Sequence, residues 1–150
     1  MPPDMHWAVV WILAALTGIF GLIWFFIQTG YVKKIDPASR ARKFLILGLL
    51  ANFAMIVVMV GMIVSVAAMG GEPSAIHFAL GFLAFVLVIG SIVLILSATF
   101  GMRRSLVDYF NTVEPIGLRL SGAMTFFFNV LYFQYHLSRI AEWKRTGTLQ

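Results

Sequence analysis

Cysteine is absent from the 150-residue sequence, so disulfides and thiolate metal sites are excluded. Charge is also scarce, because Asp, Glu, Lys and Arg make up 11% of the residues, against about 25% in soluble domains. None of these four occurs between Asp4 and Lys33, between Lys43 and Glu72, or between Glu72 and Arg103. Each gap exceeds the ~20 residues that cross ~30 Å of hydrocarbon, where a central charge would cost about 2.5 to 3.5 kcal/mol. The gaps therefore predict transmembrane helices.

The predicted fold class is an all-α membrane protein, a bundle of four transmembrane helices forming one domain over residues 1–150. The helices are expected at about 5–28, 44–69, 75–101 and 120–138. The fourth depends on the stretch between Arg119 and Arg139, whose 19 uncharged residues are just long enough to cross. The alternative is three spans with a re-entrant or interfacial fourth helix.

The cations predict the orientation, because cytoplasmic loops carry an excess of Lys and Arg. Two cationic clusters are predicted to lie on the cytoplasmic side and to contact anionic lipid headgroups. The first comprises Lys33, Lys34, Arg40, Arg42 and Lys43, and the second comprises Arg103 and Arg104. With the N-terminus outside, eight Lys and Arg lie inside and three outside; a re-entrant fourth segment puts all eleven inside. The bilayer is the expected partner, and nucleic-acid binding is not expected despite the net charge of +5.

Small residues at helical spacing predict close helix packing, the main source of association between helices in lipid. The helix-packing residues are Ala14, Gly18 and Gly21 in the first helix, Gly61 and Ser65 in the second, and Gly81 and Ala84 in the third. The second helix also carries Gly48 and Asn52 on its opposite face. Two such faces suggest contact with a second copy of the chain.

A polar seam runs along the fourth helix. At 100° per residue its members fall within about 80° of arc, and they are Ser121, Thr125, Asn129, Tyr132, His136 and Arg139. Phe127 and Leu131 lie opposite, and Gln134 also points that way. Because polar groups avoid hydrocarbon, the seam should face the bundle interior, a partner or water. It serves either interhelical packing or the binding or permeation of a solute, ion or lipid.

Enzyme signatures are missing from the sequence. There is no HExxH, GxSxG or Walker loop, and no carboxylate lies within the predicted spans. We therefore expect a protein that is not an enzyme and has neither a cofactor nor a bound metal. A weaker alternative is a haem or metal site built by His6, His77 and His136, which the four-helix topology brings to the outer interface.

Two segments carry a resemblance to a known family. Gly18–Trp24 with the cationic loop that follows, and Asn129–Ile140, resemble the opening and closing segments of an uncharacterised family of small bacterial multi-pass membrane proteins. That family is known as a domain of unknown function, so the resemblance implies a bacterial inner membrane and supplies no activity. Our leading hypothesis is helix-mediated association with itself or with a membrane complex, because small-residue faces are abundant and ionisable groups are missing from the spans.

Overall fold

The computed structural model describes residues 3, 5–17 and 19–147, without the side chains of residues 14–17. Every regular element in this described part is helical, which confirms the all-α class. The elements are α1 (Trp7–Thr17), α2 (Ile19–Ile35), α3 (Ala41–Ala68), α4 (Ala75–Thr112) and α5 (Gly122–Thr146). The chain divides into two compact units, Lys43–Ser97 and the remainder formed by Met1–Arg42 with Ala98–Gln150. The single domain over residues 1–150 stays a prediction.

The unit Lys43–Ser97 is a hairpin of the two longest helices. Among the described residues, α3 and α4 are the two helices long and apolar enough to cross a membrane, with 28 and 38 residues. Only 11% of the most apolar 18-residue window of each helix is buried. An apolar helix in a soluble protein would instead be mostly buried, because burial of apolar surface is what stabilises it. The exposed apolar faces of this hairpin therefore favour a membrane location.

A histidine joins the two helices at their connection. The turn contains Gly70 and Gly71 at φ 79° and 90°, a region that glycine enters without steric cost. His77 Nε2 lies 2.7 Å from Ser65 Oγ, and His77 Nδ1 lies 2.9 Å from both the backbone N and the Oγ of Ser74. These contacts use both ring nitrogens, and the His77 side chain is buried.

The end of α4 corrects the predicted connection. A third span at about 75–101 was expected, but α4 continues without a break to Thr112. Pro115 follows three residues later and lacks the amide hydrogen that would extend the helix. The last part of α4 belongs to the unit that also contains the first cationic loop. Ser105 Oγ donates to Asp36 Oδ2 at 2.7 Å and lies 3.1 Å from Ser39 Oγ, so these two segments are neighbours.

The first predicted helix is not one straight span. The structure has α1 and α2 in its place, α2 continues to Ile35, and Gly18 lies outside the described residues. Gln134 Nε2 donates to Met5 O at 2.6 Å, and Gln134 Oε1 accepts from Trp24 Nε1 at 2.7 Å. On one straight helix Met5 and Trp24 would be about 28 Å apart. Since both reach one amide, α1 packs back against α2.

The fourth predicted helix also differs from expectation. A span at about 120–138 was predicted, whereas α5 continues to Thr146 and ends where Gly147 takes φ 73°. Asn129 interrupts it with φ 33° and ψ −108°. The Ser121 amide donates to Tyr132 Oη at 2.9 Å, although on a straight helix these residues would stand about 16 Å apart along the axis. The helix therefore bends sharply at Asn129.

A compact apolar core holds the bent helix in its unit. It combines side chains from the end of α4 with side chains that follow the bend in α5. The largest fully buried members are Met102, Leu106, Phe110, Phe133, Leu137 and Ile140. This core fixes the part of α5 that carries the polar side chains described below.

Two glycines of α3 provide a matched test of the hairpin packing. A Cβ at Gly48 would lie 2.9 Å from Ile95 Cγ1 and 3.3 Å from Ser91 O, whereas a Cβ at Gly61 meets nothing within 4 Å. We predict that Gly48→Ala lowers the free energy of unfolding by about 1 to 3 kcal/mol through overpacking. Gly61→Ala should be neutral or stabilising by up to about 1 kcal/mol, since alanine favours helix. Unfolding in mixed detergent micelles, followed by circular dichroism, measures both; equal effects would contradict the close approach at Gly48.

Candidate functional site

Gln134 is the centre of a buried polar network. Its side chain is fully buried. Its Oε1 accepts from Trp24 Nε1 at 2.7 Å and from Gln28 Nε2 at 3.3 Å, while its Nε2 donates to Met5 O at 2.6 Å and to Ser138 Oγ at 3.1 Å. One amide therefore joins α5 to α2 and to the chain that leads into α1.

A second amide extends this network to the bend. Gln28, also fully buried, donates from Nε2 to Val130 O at 3.0 Å, directly after the interruption at Asn129. Breaking a helix removes backbone hydrogen-bond partners near the break, so the Gln28 amide of α2 supplies a donor for the Val130 carbonyl there. Gln28 Oε1 and Asn129 Oδ1 are buried without a protein partner. The network thus stabilises the bend and leaves two buried acceptors beside it.

The bend divides the predicted polar seam. Before it, Ser121 caps α5 by accepting from Met124 N at 3.5 Å, and Thr125 is fully buried with its hydroxyl donating to Ser121 O at 2.7 Å. Beyond it, Tyr132, His136 and Arg139 are half-buried. The prediction of one continuous face assumed regular helix through Asn129, which the structure contradicts.

The second part of the seam lines a cleft together with the loop before α5. The cleft has a volume of about 170 Å³, and its polar members are Arg119, His136 and Arg139. The His136 ring meets those of Tyr132 and Tyr135 edge-on at centroid distances of 4.7 and 5.3 Å, and the Arg139 guanidinium lies 5.8 Å from the Tyr135 ring. The structure therefore brings two of the six seam residues to one cavity, together with Arg119, which was not a predicted site residue.

Three contacts hold the loop that forms the other wall of this cleft. Arg103 donates to Leu120 O through Nε at 2.9 Å and Nη2 at 2.6 Å, and Asn111 Nδ2 donates to Leu118 O at 3.0 Å. At the start of the loop, Glu114 Oε1 forms an ion pair with Lys144 Nζ of α5 at 2.9 Å. The loop is thus tied to α4 and to the far end of α5.

Glu114 is the acidic group of this loop, and its surroundings control its charge. Burial by itself would raise the pKa of the Glu114 carboxyl. Hydrogen bonds from Lys144 and Tyr109, with the Lys144 charge, outweigh burial and lower that pKa below its ordinary value. The hydrogen bond to Glu114 correspondingly raises the pKa of the Tyr109 hydroxyl. The carboxylate is therefore ionised and paired with Lys144 near neutral pH.

The predicted helix-packing residues fall into different environments. Ser65 contacts His77, Gly81 lies near Met62 Sδ, with 4.0 Å between that sulfur and an added Cβ, and Ala84 is buried. Gly61 is exposed with open space beside it, and Gly21 is half-buried in α2. The Ala14 side chain and Gly18 lie outside the described residues.

The predicted headgroup cations are mostly exposed. Lys33 instead bends over the first loop, where its Nζ donates to Pro37 O. Arg103 is half-buried through its bond to Leu120 O. Arg104 pairs with Asp108 at 3.7 Å one turn away, where solvent exposure makes the pair weak. Exposed side chains are found at Lys34, Arg40, Arg42 and Lys43.

The histidines have separate local roles. Both nitrogens of His77 have serine partners, His6 Nδ1 accepts from Ala8 N at 3.3 Å, and His136 lines the cleft. Within the described part of the chain, no group of three or more His, Cys, Asp or Glu could hold a metal ion. A haem or metal site remains a hypothesis without a geometric basis here.

Sequence reasoning missed the roles of Gln134 and Arg119. Gln134 was treated as an exception to a two-faced helix, although it is a fully buried residue at the centre of a polar network. A signal was available, since Trp24 and Gln28 lie on one face of the first predicted helix and need polar partners in an apolar setting. No comparable local signal in the sequence identifies Arg119, because only the folding of the loop before α5 places it at the same cleft as His136 and Arg139.

Replacing Gln134 tests the network. Gln134→Leu leaves the Trp24 and Gln28 donors and the Met5 carbonyl without this partner, and unsatisfied buried groups cost about 1 to 3 kcal/mol each. We predict a loss of at least about 2 kcal/mol in the free energy of unfolding, with Trp24→Phe losing less because it removes one donor. Detergent unfolding monitored by circular dichroism measures both. A Gln134→Leu protein as stable as wild type would show that the network contributes nothing.

Acidification tests the Glu114 ion pair. A carboxyl whose pKa is lowered by folding stabilises the native state above its unfolded pKa, and that contribution is lost as pH falls through the folded pKa. We predict that wild type melts at higher temperature than Glu114→Gln at pH 7, and that the difference shrinks as the pH approaches 3. Lys144→Gln should give the same pH dependence. A difference that stays constant with pH would contradict this assignment.

Comparison with known proteins does not assign the chain to a family. No family model, curated protein or solved structure matches the chain. The resemblance carried by Gly18–Trp24 and Asn129–Ile140 therefore stays an expectation, neither supported nor excluded. Function has to be inferred from this chain's own residues.

Proposed function

We propose that this chain is a non-enzymatic integral membrane protein that acts through helix-mediated association, with a second copy of itself as the first candidate partner. The α3–α4 hairpin is the membrane anchor. Its support is the pair of long apolar helices whose most apolar windows are only 11% buried. The bilayer covers most of that surface, and a partner helix covers the part that admits close approach.

In this proposal only α3 and α4 cross the bilayer, while α1 with α2 and the bent α5 enter it and return. Two observations support this arrangement. Met5 and Trp24 meet at Gln134, and Lys144 meets Glu114 in the loop before α5. All eleven Lys and Arg would then lie on one face, as expected for the cytoplasmic side. The proposal replaces the predicted external N-terminus by two cytoplasmic ends, in the bacterial inner membrane that the resemblance implies.

The association proposal is based on the environment of Gly61. Gly61 is exposed on the transmembrane part of α3, and a Cβ built on it meets no atom within 4 Å. Bulky apolar side chains surround it, with exposed fractions of 55% at Val57 and 61% at Val64. A glycine flanked in this way forms a shallow depression where a second helix approaches closely, and dispersion contacts then stabilise the pair.

Permeation along α5 receives less support. It required a continuous polar path, and the non-helical backbone at Asn129 divides the seam into Ser121 and Thr125 on one side and Tyr132, His136 and Arg139 on the other. The geometry therefore favours association over transport.

Filling the Gly61 depression tests association. The chain lacks cysteine, so Val57→Cys gives one crosslinking site on this face. We predict that mild oxidation in native membranes yields a disulfide-linked dimer, and that adding Gly61→Leu lowers its yield roughly fivefold, corresponding to about 1 kcal/mol.

Gly90→Leu is the matched control, because Gly90 on α4 also has nothing within 4 Å of an added Cβ. It should leave the dimer yield unchanged. If the Val57→Cys protein gives no crosslinked dimer, or if both leucine variants lower the yield equally, association through the Gly61 face is contradicted.

A further inference from the structure

The cleft beside α5 combines positive charge with an apolar floor. Arg119 from the loop and Arg139 from α5 are its cations, and none of its described lining residues is acidic. Its apolar members are Ile116, Leu118 and Ile140. The nearby carboxylate of Glu114 is already paired with Lys144. Two guanidinium groups at one cavity are typical of sites that bind phosphate, because their planar donors match its oxygens.

Contacts within the protein preform the walls of the cleft. Arg103 and Asn111 fix the carbonyls of Leu120 and Leu118 in the loop wall. On the opposite wall, the Ile140 side chain is buried in the core. A preformed site loses less conformational entropy on binding than a mobile one. The arginines are thus attached to supported backbone on both sides.

An aromatic groove adjoins the cleft and indicates what the anion is attached to. His136 lines the cleft, and the rings of Tyr132 and Tyr135, which it contacts, line the groove. The groove has a volume of about 370 Å³ and an almost wholly apolar lining that includes Trp7, Trp11, Leu131 and Phe128. A cationic cleft and an apolar groove on the two sides of the His136–tyrosine contacts match a molecule with a phosphate at one end and a hydrocarbon chain at the other.

We propose that the Arg119–Arg139 cleft binds the phosphoryl group of an anionic phospholipid, with an acyl chain along the aromatic groove. This site is separate from the Gly61 face, so it goes beyond the association proposal. The arginines hold the phosphoryl oxygens, His136 forms the wall between headgroup and chain, and the aromatic side chains cover the chain. The lipid acts here as a bound ligand in addition to its role as solvent for α3 and α4.

Native mass spectrometry of the delipidated full-length protein tests the site. Titration with long-chain phosphatidylglycerol should give one lipid bound more tightly than the rest. The Arg119→Gln, Arg139→Gln double variant should weaken that step about tenfold or more, since charge-assisted hydrogen bonds are lost. The Arg42→Gln, Arg104→Gln double variant removes two exposed cations outside the cleft. These are predicted contacts for headgroups of the surrounding bilayer, so the variant should weaken the later, weaker binding steps and change the tightest step less than about twofold.

Two further ligands separate the possible sources of the phosphoryl group. Glycerol 3-phosphate and inorganic phosphate carry the anion without the chain, and they should bind at least about tenfold more weakly than the lipid, since an acyl chain adds buried apolar area. If inorganic phosphate binds as tightly as the lipid and the cleft variant abolishes both, the site takes a free anion and the lipid assignment is overturned.

Folding of the variants is checked by circular dichroism and gel filtration. Should the double variant fail to fold, the single variant Arg119→Gln provides the test, because this side chain is exposed in the loop and no described core contact depends on it. Its lipid affinity should fall several-fold. Wild-type affinity in a folded cleft variant, or an equal loss in the Arg42→Gln, Arg104→Gln control, would overturn the proposal.

Discussion

The amide of Gln134 is the interaction on which the unit outside the hairpin depends. It is fully buried and joins the indole of Trp24, the amide of Gln28 and the carbonyl of Met5. In an apolar setting such groups are costly unless they pair with one another. One side chain therefore links α5 both to α2 and to the segment that leads into α1, and it acts together with the apolar core. The bend at Asn129 is compatible with this arrangement because Gln28 supplies a donor beside it.

The distribution of charge follows from the same fold. Ten of the eleven Lys and Arg lie in the unit that contains Gln134, and the hairpin unit holds only Lys43 and Glu72 as formal charges. Folding back lets Lys144 reach Glu114 and brings Arg139 to a cleft that Arg119 also lines. A straight α5 would have separated these pairs. The candidate anion site is thus a consequence of the bend.

Hydropathy predicted the parts of the fold that follow from local composition. The uncharged runs gave α3 and the start of α4 with boundaries close to those in the structure, because long apolar helices have a strong signal. It did not give the division into α1 and α2 or the bend in α5. A bent helix has the same composition as a straight one, and what distinguishes them here is a long-range contact from Gln134 to residues over 100 positions away. The seam was predicted from helical periodicity, which assumed a regular backbone through Asn129.

The direction taken by α5 in a bilayer is the most direct measure of this account. Since the chain lacks cysteine, spin labels can be attached at Val113→Cys and Arg145→Cys alone, next to the Glu114–Lys144 pair. Double electron–electron resonance on protein reconstituted in lipid nanodiscs should give a single distance well below the ~30 Å thickness of the hydrocarbon core. A distribution centred at ~30 Å or more would mean that α5 crosses the membrane, contradicting the fold-back and the cleft that depends on it.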